Sequence, residues 1–309
     1  MSAPPPPVVV TGGTGFIGSA LVRRLSAEGA PVLCLVRRAS PRRARLDGLP
    51  GVTLLDVERL DELELPEGAV VFNLASYGVS PSERDPRALI EGNVTLLTRV
   101  LERAARARAR RVLHLGSCAE YAPPLDERPL TEQHPLSSAS SYGAAKAAAF
   151  LFGTAHARRL EVPMVTLRPF GTFGPGEAPH RLIPALVARL ARDERVELTS
   201  GEQVRDLTFV DDVVEACLAA ARSDALEPYL AYNLCSGVPV AIGAVAREVA
   251  RLMGKPEALL AFGAVPLRDY EVPWLVGDPA RLRAATGLAP QITLAEGIRR
   301  SLDALTSER

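Results

Sequence analysis

Cysteine is scarce in this chain of 309 residues, and its placement suggests neither a metal site nor a disulfide framework. The four cysteines, Cys34, Cys118, Cys217 and Cys235, are scattered and include no Cys-x-x-Cys pair. Structural zinc sites and redox motifs use such close pairs, whereas disulfide frameworks belong mainly to short secreted chains. We therefore predict no metal site and no disulfide-stapled fold.

An excess of charge of one sign is also missing. The 36 lysines and arginines balance 36 aspartates and glutamates, so the formal net charge at pH 7 is zero. Proteins that bind nucleic acids or anionic membranes through charge carry an excess of basic residues. We therefore expect neither nucleic acid nor a membrane as a partner.

Long hydrophobic runs are absent too. No stretch reaches the roughly 18 apolar residues that suggest a membrane-spanning helix. The first residues, MSAPPPP, lack the basic and apolar segments of a secretory signal. Hydrophobic residues nevertheless make up 47% of the chain, which is enough for a sizeable core. These features predict a cytoplasmic globular protein.

A glycine-rich turn stands close to the start of the chain. Val8–Val10 is a short β-branched run typical of a buried strand. Gly12, Gly15 and Gly18 follow at three-residue spacing, and a helical pattern begins at Phe16. A strand, a glycine turn and a helix N-terminus direct backbone N–H groups at one point, which suits a pyrophosphate. We predict a dinucleotide site here, with a tight turn that binds nothing as the alternative.

Strand-like runs alternate with helical patterns as far as about residue 168. The predicted strands are Val8–Val10, Pro31–Val36, Val52–Leu55, Ala69–Leu74, Arg111–Leu115 and Met164–Leu167, and the predicted helices include Phe16–Glu28, Leu89–Ala109 and Ser141–Leu160. Such alternation predicts an α/β fold of Rossmann type, with a doubly wound parallel sheet. We expect the arginine-rich segment from Arg103 to Arg111 to form a solvated helix face.

The composition changes after residue 168. Glycine and proline crowd residues 169–180, which we expect to form no regular element. Helices are predicted over Leu182–Arg192, Val213–Ala221 and Ile242–Met253, and short strands over Val196–Leu198 and Tyr232–Leu234. We predict a dinucleotide-binding domain over residues 1–168. Residues 169–309 should form mainly a smaller substrate-binding lobe, interleaved with the last elements of the sheet.

Three residues form a candidate catalytic set. Tyr142 and Lys146 lie four residues apart, which places them on one face of a predicted helix. A nearby lysine cation should lower the tyrosine pKa from its usual value of about 10. Ser117 follows a predicted strand, where its hydroxyl could hydrogen-bond a substrate oxygen beside Tyr142. Tyr-x-x-x-Lys alone is common on exposed helices, so the combination carries the prediction.

The glycine turn together with Ser117, Tyr142 and Lys146 resembles the short-chain dehydrogenase/reductase superfamily. In that superfamily a Ser/Thr-Tyr-Lys set moves a proton while the nicotinamide moves a hydride. The Gly-x-x-Gly-x-x-Gly spacing resembles the extended branch, the nucleotide-sugar epimerase/dehydratase family. Other segments resemble the same family, namely Asp56-Val57, Asn73-Leu74-Ala75, the helix phrase around Asn93, Arg168-Pro169-Phe170 before Gly174-Pro175-Gly176, and residues 205–213 (RDLTFVDDV).

The resemblance implies a set of binding residues. The implied cofactor contacts are Gly12, Gly15, Phe16, Ile17, Gly18, Asp56, Val57, Leu74, Ala75, Lys146 and Pro169. The implied contacts to a nucleotide-diphosphate sugar are Tyr77, Ser117, Tyr142 and Arg205, with Arg205 on the diphosphate. Phe173, His180 and Arg268 are further candidates for the sugar pocket, and surface positions are the alternative for His180 and Arg268. The pair Asp211-Asp212 is expected to cap a helix. A homodimer through the helices near Leu89–Ala109 and Tyr142–Leu160 is also implied.

Two departures from the family pattern narrow the reaction. Cys118 and Ala119 occupy the positions of the two carboxyls of the 4,6-dehydratases, and Glu120 comes one place too late, so dehydration is disfavoured. Arg37 and Arg38 end the second strand where an acidic residue would bind the ribose of NAD. Arginine there can accept a 2′-phosphate, which favours NADP(H) over NAD(H). Arginines that simply extend into solvent are the alternative.

The sequence therefore predicts NADPH-dependent reduction of a 4-keto sugar nucleotide by Ser117, Tyr142 and Lys146. An NAD-dependent nucleotide-sugar 4-epimerase would use the same residues and is the second candidate. A non-catalytic NADP-binding sensor or scaffold is the third, although such relatives lack the Tyr-Lys pair that this chain has.

Overall fold

The computed structural model of the protein describes residues 6–80, 82–138, 140–267 and 271–307. Its strands, in chain order, are β1 (Val8–Thr11), β2 (Val32–Val36), β3 (Val52–Asp56), β4 (Val70–Asn73), β5 (Arg111–Leu115), β6 (Met164–Pro169), β7 (Gly171–Phe173), β8 (Val196–Glu197), β9 (Val204–Phe209), β10 (Ala231–Leu234), β11 (Pro239–Ala241), β12 (Leu260–Ala261) and β13 (Trp274–Leu275). Its α-helices are α1 (Phe16–Ala27), α2 (Pro86–Ile90), α3 (Leu96–Arg106), α4 (Ser141–Arg159), α5 (Leu182–Leu190), α6 (Val210–Arg222), α7 (Ile242–Leu252), α8 (Ala280–Thr286) and α9 (Leu294–Ser307).

Within the described ranges, seven strands form one parallel sheet in the order β10-β6-β5-β4-β1-β2-β3. Val8 of β1 pairs with Val32 of β2 on one side and with Val70 of β4 on the other, both in parallel. The chain therefore reverses its direction of winding beside β1, and open α/β sheets bind ligands at such a switch point. The predicted Rossmann-type α/β fold is confirmed.

Helices cover both faces of this sheet. On one face, Leu21 and Val22 of α1 pack with Val213 of α6 against the strands. On the other face, Leu97 of α3 and Ala149 of α4 belong to a second apolar cluster. Because both faces are covered, the strands are apolar along nearly their whole length, which is why the sequence pattern revealed them.

A smaller sheet lies beyond the main one. Strand β9 is its centre, with β11, β13 and β7 beside it, and β8 pairs separately with β12. The prediction that residues 169–180 form no regular element was wrong, because Gly171–Phe173 pairs in parallel with β9. A Cβ at Gly171 would lie 2.6 Å from Leu207 Cδ2, so this glycine allows the two strands to approach.

Several predicted elements differ in extent. The helix predicted over Leu89–Ala109 begins at Pro86 and is interrupted by a π-helical turn, Glu91–Thr95. Strand β9 and helix α9 were not predicted. Helix α6 begins three residues before the expected Val213, with Phe209 as its N-cap. Asp212 therefore caps no helix, and its carboxylate instead accepts the N–H groups of Gln291 and Ile292, which ties the segment before α9 to α6.

The arginine-rich segment from Arg103 to Arg111 is only partly solvated. Arg103 is 7% exposed, and its Nη1 donates to the carbonyl oxygen of Asp61 at 2.9 Å. Arg111 donates through Nη1 to the carbonyl oxygen of Ala220 at 2.7 Å. The expectation of a wholly solvated face was wrong because both side chains satisfy carbonyl groups on neighbouring elements.

The chain returns to the main sheet after the smaller one, because β10 pairs in parallel with β6. The division into domains at residue 168 remains a prediction. Among the helices described, none combines the length and the apolar character that crossing a membrane requires.

Candidate active site

The glycine turn between β1 and α1 lies directly against the loop that follows β4. Gly12 has a φ of +72°, and a Cβ there would lie 2.5 Å from the backbone nitrogen of Ala75. A Cβ at Gly18 would lie 2.2 Å from the carbonyl oxygen of Gly12. Neither position has room for a side chain. The sequence therefore needs glycine here for the two backbones to approach each other.

The N-terminus of α1 fits an anionic group. Gly15 is its N-cap, provides no side-chain hydrogen bond, and no acidic residue lies in the first turn. Phe16 and Ile17 of that turn are partly buried. The N–H groups at the start of a helix and the positive end of its dipole favour phosphate oxygens. The residues at this turn therefore fit the pyrophosphate of a dinucleotide.

Arginines surround the end of β2. Arg37 and Arg38 are both exposed, and Arg38 Nε lies 3.6 Å from the carboxylate of Asp56 at the end of β3. Arg43 Nη1 lies 3.9 Å from the same carboxylate. Asp56 and the neighbouring Val57 are partly buried, so both remain candidates for the predicted adenine contact.

A buried polar network supports the loop after β4. Thr11 Oγ1 donates to Asn73 Oδ1 at 2.6 Å and accepts the Ala75 N–H at 3.2 Å. The Asn73 side-chain nitrogen lies 3.0 Å from His114 Nδ1. Burial holds the pKa of His114 well below its ordinary value, so this imidazole is neutral. The network fixes Leu74 and Ala75, both predicted cofactor contacts, beside the glycine turn.

Ser117 is held at the start of a short 3₁₀ turn that follows β5. Its Oγ accepts the Ala119 N–H at 3.1 Å, and Glu120 Oε1 accepts the Ser117 N–H at 2.8 Å. Glu120 Oε2 in turn accepts Arg168 Nε at 2.7 Å, and both of these side chains are at most 1% exposed. This capping box leaves the Ser117 hydroxyl hydrogen available to another acceptor. Glu120, which the sequence did not identify as functional, is the anchor of the turn.

Tyr142 meets Ser117 at the carboxyl edge of the sheet. It lies in the first turn of α4, which Ser140 caps by accepting the Gly143 N–H at 3.0 Å. The hydroxyls of Ser117 and Ser76 lie near the Tyr142 phenol. Burial raises the pKa of Tyr142 above its ordinary value, and these two hydroxyls oppose that rise.

Lys146 lies one helical turn further along and is 1% exposed. Its Nζ donates to the carbonyl oxygen of Leu115 at 2.5 Å. Burial lowers the pKa of Lys146 to about 8, and the Glu120 carboxylate opposes that fall. We expected Lys146 to lower the pKa of Tyr142, but the loss of solvent around the phenol raises it instead while the ammonium contacts Leu115.

Arg205, the residue predicted to bind the diphosphate, lies on the smaller sheet. Arg205 is partly buried on β9, and its Nη2 donates to Glu271 at 3.3 Å. Arg205 and Arg181 both lie near enough to Cys118 to oppose the rise that burial causes in its thiol pKa, which reaches about 12. Because Cys118 adjoins Ser117, both arginines lie close to the candidate catalytic set. Arg181 follows a Gly- and Pro-rich segment and had not been predicted.

The other residues predicted to line the sugar pocket differ in their exposure to solvent. Phe173 is 3% exposed and packs edge-to-face on Phe209, so it belongs to the core, and its prediction as a pocket residue was wrong. His180 is exposed, and Pro169 is partly buried at the end of β6. Arg268 lies outside the residues that the structure describes.

Asp206, next to Arg205, fastens the smaller sheet to the loops around it. Its Oδ1 accepts the backbone N–H and the hydroxyl of Ser236, at 2.8 and 2.6 Å. Its Oδ2 accepts the N–H groups of Gly237 and Gly277, at 2.8 and 3.3 Å. Four hydrogen bonds to one buried carboxylate fix the strand that carries Arg205.

The cysteines and the acidic residues form no cluster suited to a metal ion in the part of the chain that is described. All four cysteines are free thiols. No group of three or more histidines, cysteines or acidic residues lies close enough together there to hold a metal ion.

Known proteins similar to this chain match it over nearly its whole length. A sequence model of the NAD dependent epimerase/dehydratase family matches residues 8–235. A dTDP-6-deoxy-L-talose 4-dehydrogenase (NAD(P)(+)) from Kitasatospora kifunensis is 30% identical over 323 residues, which cover 97% of this chain and 96% of the relative. A UDP-glucose 4-epimerase from Mycolicibacterium smegmatis is 29% identical over 310 residues, which cover 96% and 97%. The solved complex of Thermus thermophilus UDP-glucose 4-epimerase with NAD superimposes with a TM-score of 0.85 at 27% identity, covering 98% and 99%.

Proposed function

The chain belongs to the NAD dependent epimerase/dehydratase family, and on that premise we propose that it reduces a 4-keto sugar nucleotide with NADPH. The family and the relatives named above are NAD(P)-dependent enzymes of nucleotide-sugar chemistry. The observation that carries the proposal is the buried Tyr142 phenol beside the Ser117 hydroxyl, where burial raises the tyrosine pKa and keeps the phenol protonated. A protonated phenol is the form that a reductase needs, because it must give a proton to the substrate.

The proposed roles follow from the positions of the side chains. The nicotinamide, when bound, supplies a hydride to C4 of the sugar. Tyr142 gives its proton to the carbonyl oxygen, and the Ser117 hydroxyl donates a hydrogen bond to the same oxygen. Lys146, which carries a positive charge below its pKa of about 8, balances the phenolate that results.

Assay of the purified protein tests the proposal directly. We expect the protein to oxidise NADPH only when a 4-keto sugar nucleotide is present. The loss of NADPH absorbance measures this oxidation. The panel should include UDP- and dTDP-linked 4-keto sugars. If none of these sugar nucleotides supports the oxidation of NADPH, the proposal is contradicted.

Replacing Arg37 with aspartate should shift the cofactor preference from NADP(H) toward NAD(H). Arg37 is exposed at the end of β2, where a guanidinium can pair with a 2′-phosphate. Loss of one such charged interaction should change the ratio of the two dissociation constants by about 10-fold to 100-fold. Calorimetric titration with both cofactors measures the ratio. Arg59→Asp, an exposed arginine beyond β3, is the control for general charge effects, and an equal ratio in both variants would refute the role of Arg37.

Replacing Arg205 with alanine should raise the KM for the nucleotide sugar by about 10-fold to 100-fold, because a guanidinium–diphosphate pair is charge-assisted. The Arg205 guanidinium lies 3.3 Å from the Glu271 carboxylate, with which a bound diphosphate would compete. The KM for cofactor should change little. Arg247→Ala, which breaks an exposed pair with Glu257 on α7, is the matched control. A similar rise in both KM values would place Arg205 outside the diphosphate site.

The two residues that follow Ser117 provide no acid or base suited to the elimination of water. Cys118 and Ala119 follow Ser117 directly, and burial raises the pKa of the Cys118 thiol to about 12. A thiol with that pKa stays neutral near pH 7 and is a poor acid or base. This supports reduction over elimination of water.

A 4-epimerase that retains NAD is the second candidate, and one contact favours it. Arg45 Nη2, in the connection after β2, donates to the carbonyl oxygen of Gly176 at 2.9 Å. A Cβ at Gly176 would lie 3.9 Å from Phe16 Cδ2 of α1. This contact joins the connection after β2 to the segment around Gly176, which lies near the start of α1. Such a link beside the cofactor turn would slow the release of the cofactor. Mass spectrometry of the purified protein distinguishes the two candidates. Retained NAD would indicate an epimerase, whereas a protein that is purified without cofactor and consumes NADPH would be a reductase.

We also propose a homodimer. Ile90 of α2 is 50% exposed, and Leu151 and Phe152 of α4 are 59% and 56% exposed. Large apolar side chains that remain exposed on neighbouring helices support an interface with a second copy of the chain.

A further inference from the structure

We propose that Ser76, held by Asn93, is a second hydroxyl that positions Tyr142 and supports its phenolate when the proton leaves. The inference rests on the proposed reduction for its chemistry. Its structural basis is a set of hydrogen bonds that tie α2 and the π-helical turn to the loop after β4, together with the packing of that loop against the Tyr142 ring.

Asn93 fixes the loop after β4 with all of its side-chain groups. Its Oδ1 accepts the Ser76 hydroxyl at 2.9 Å and the Tyr77 N–H at 3.4 Å. Its Nδ2 donates to the carbonyl oxygens of Tyr77 and Leu89, at 2.9 and 2.8 Å. Asn93 itself is 2% exposed, so it is held rigidly. Ser76 therefore has a fixed hydrogen-bond partner in Asn93.

The backbone departs from a regular helix at this asparagine. Asn93 is the central residue of the π-helical turn Glu91–Thr95. A Cβ at the adjacent Gly92 would lie 2.8 Å from Tyr77 Cβ, so the turn and the loop are in close contact. π-Helical turns inside α-helices are rare and occur frequently at functional sites. This turn places Asn93 against the loop that carries Ser76.

The loop reaches Tyr142 at two points. The Ser76 hydroxyl lies close enough to the Tyr142 phenol to oppose the rise that burial causes in the tyrosine pKa. A Cβ at Gly78 would lie 3.1 Å from Tyr142 Cδ2, so the loop also packs against the ring. Ser76 is exposed, whereas the Asn93 side chain below it is buried. The phenol therefore has hydroxyl partners on two loops, Ser76 after β4 and Ser117 after β5.

The chemistry needs a partner for the phenolate. During reduction the hydride and its electron pair go from NADPH to C4. The O–H bond of Tyr142 breaks, its proton forms a new O–H bond on the former carbonyl oxygen, and the phenolate remains. Ser117 donates to the substrate oxygen at that moment. Ser76 can rotate its hydroxyl from Asn93 to the phenolate oxygen, because a serine hydroxyl has one hydrogen and a free rotor.

Kinetics of Ser76→Ala test this role. We expect kcat to fall by about 10-fold to 100-fold, as for the loss of a hydrogen bond to a charged group. The KM for the sugar nucleotide should stay within about twofold, because neither substrate is bound through Ser76. Ser76→Thr keeps a hydroxyl at an exposed position and should restore most of kcat. Ser80→Ala, in the same loop, removes a hydroxyl that bonds Ser82 and should match the wild type. An unchanged kcat in Ser76→Ala, or an equal loss in Ser80→Ala, would overturn the role.

A spectroscopic measurement separates this inference from the proposed function. The protein labelled with ¹³Cζ-tyrosine has six labelled rings, each of which gives a ¹³C NMR resonance. The resonance that disappears in Tyr142→Phe is that of Tyr142. Its resonance should move in Ser76→Ala, return in Ser76→Thr and stay in place in Ser80→Ala. No shift in Ser76→Ala would overturn the inference even in an active reductase. A shift in a protein that reduces no 4-keto sugar nucleotide would support the contact and contradict only the proposed function.

Discussion

Replacing Tyr142 with phenylalanine should lower kcat by about 10²- to 10⁴-fold while the protein still binds its cofactor, because the variant lacks only the proton donor. The phenyl ring keeps the packing against the loop that contains Gly78. The glycine turn and the N-terminus of α1 lie on other elements, so they should bind the dinucleotide as before. Steady-state turnover and calorimetric titration with cofactor measure the two quantities separately.

A second tyrosine provides the control for this variant. Tyr232 on β10 is also buried, and its hydroxyl accepts the Glu227 N–H at 2.9 Å, away from Ser117 and Lys146. Tyr232→Phe therefore removes a phenol hydroxyl from the core without touching the candidate site. Its kcat should stay close to that of the wild type. Turnover in Tyr142→Phe equal to that in Tyr232→Phe would remove Tyr142 from the mechanism.

The sequence predicted the main sheet well, because its strands are covered on both faces. Val8–Val10 is a β-branched run typical of a buried strand, and Arg111–Leu115 was predicted with the same ends that the structure has. Motif spacing likewise identified the glycine turn and the serine, tyrosine and lysine of the candidate set. These features are local in sequence, so local reasoning can find them.

The missed features depend on contacts between distant segments. Gly171 was expected to break structure, yet it forms β7 because the missing side chain lets β9 approach. The π-helical turn at Asn93 follows from hydrogen bonds to a loop 16 residues away. The raised pKa of Tyr142 results from burial by the assembled loops. Sequence spacing contains no measure of such burial or of such pairings.

Replacing Glu120 with glutamine should lower the free energy of unfolding by about 3–5 kcal/mol, because it leaves a buried arginine without its counter-charge. Arg168 is 1% exposed, and its Nη2 already lacks a hydrogen-bond partner, whereas Nε donates to Glu120 and Nη1 to Tyr121. The guanidinium cannot reach water when the carboxylate is neutralised. Urea denaturation followed by circular dichroism measures the loss.

Two further variants show whether charge or packing causes that loss. Glu120→Gln combined with Arg168→Met removes both charges and should recover most of the stability, as expected when an uncompensated charge is the cause. Glu194→Gln breaks an exposed pair with Arg192 and should leave the denaturation midpoint nearly unchanged. A loss that persists in the double variant would assign the effect to the packing of these two side chains and not to the uncompensated charge. Since Glu120 also accepts the Ser117 N–H, kcat in a double variant that recovers its stability would report how far this buried carboxylate positions the candidate serine.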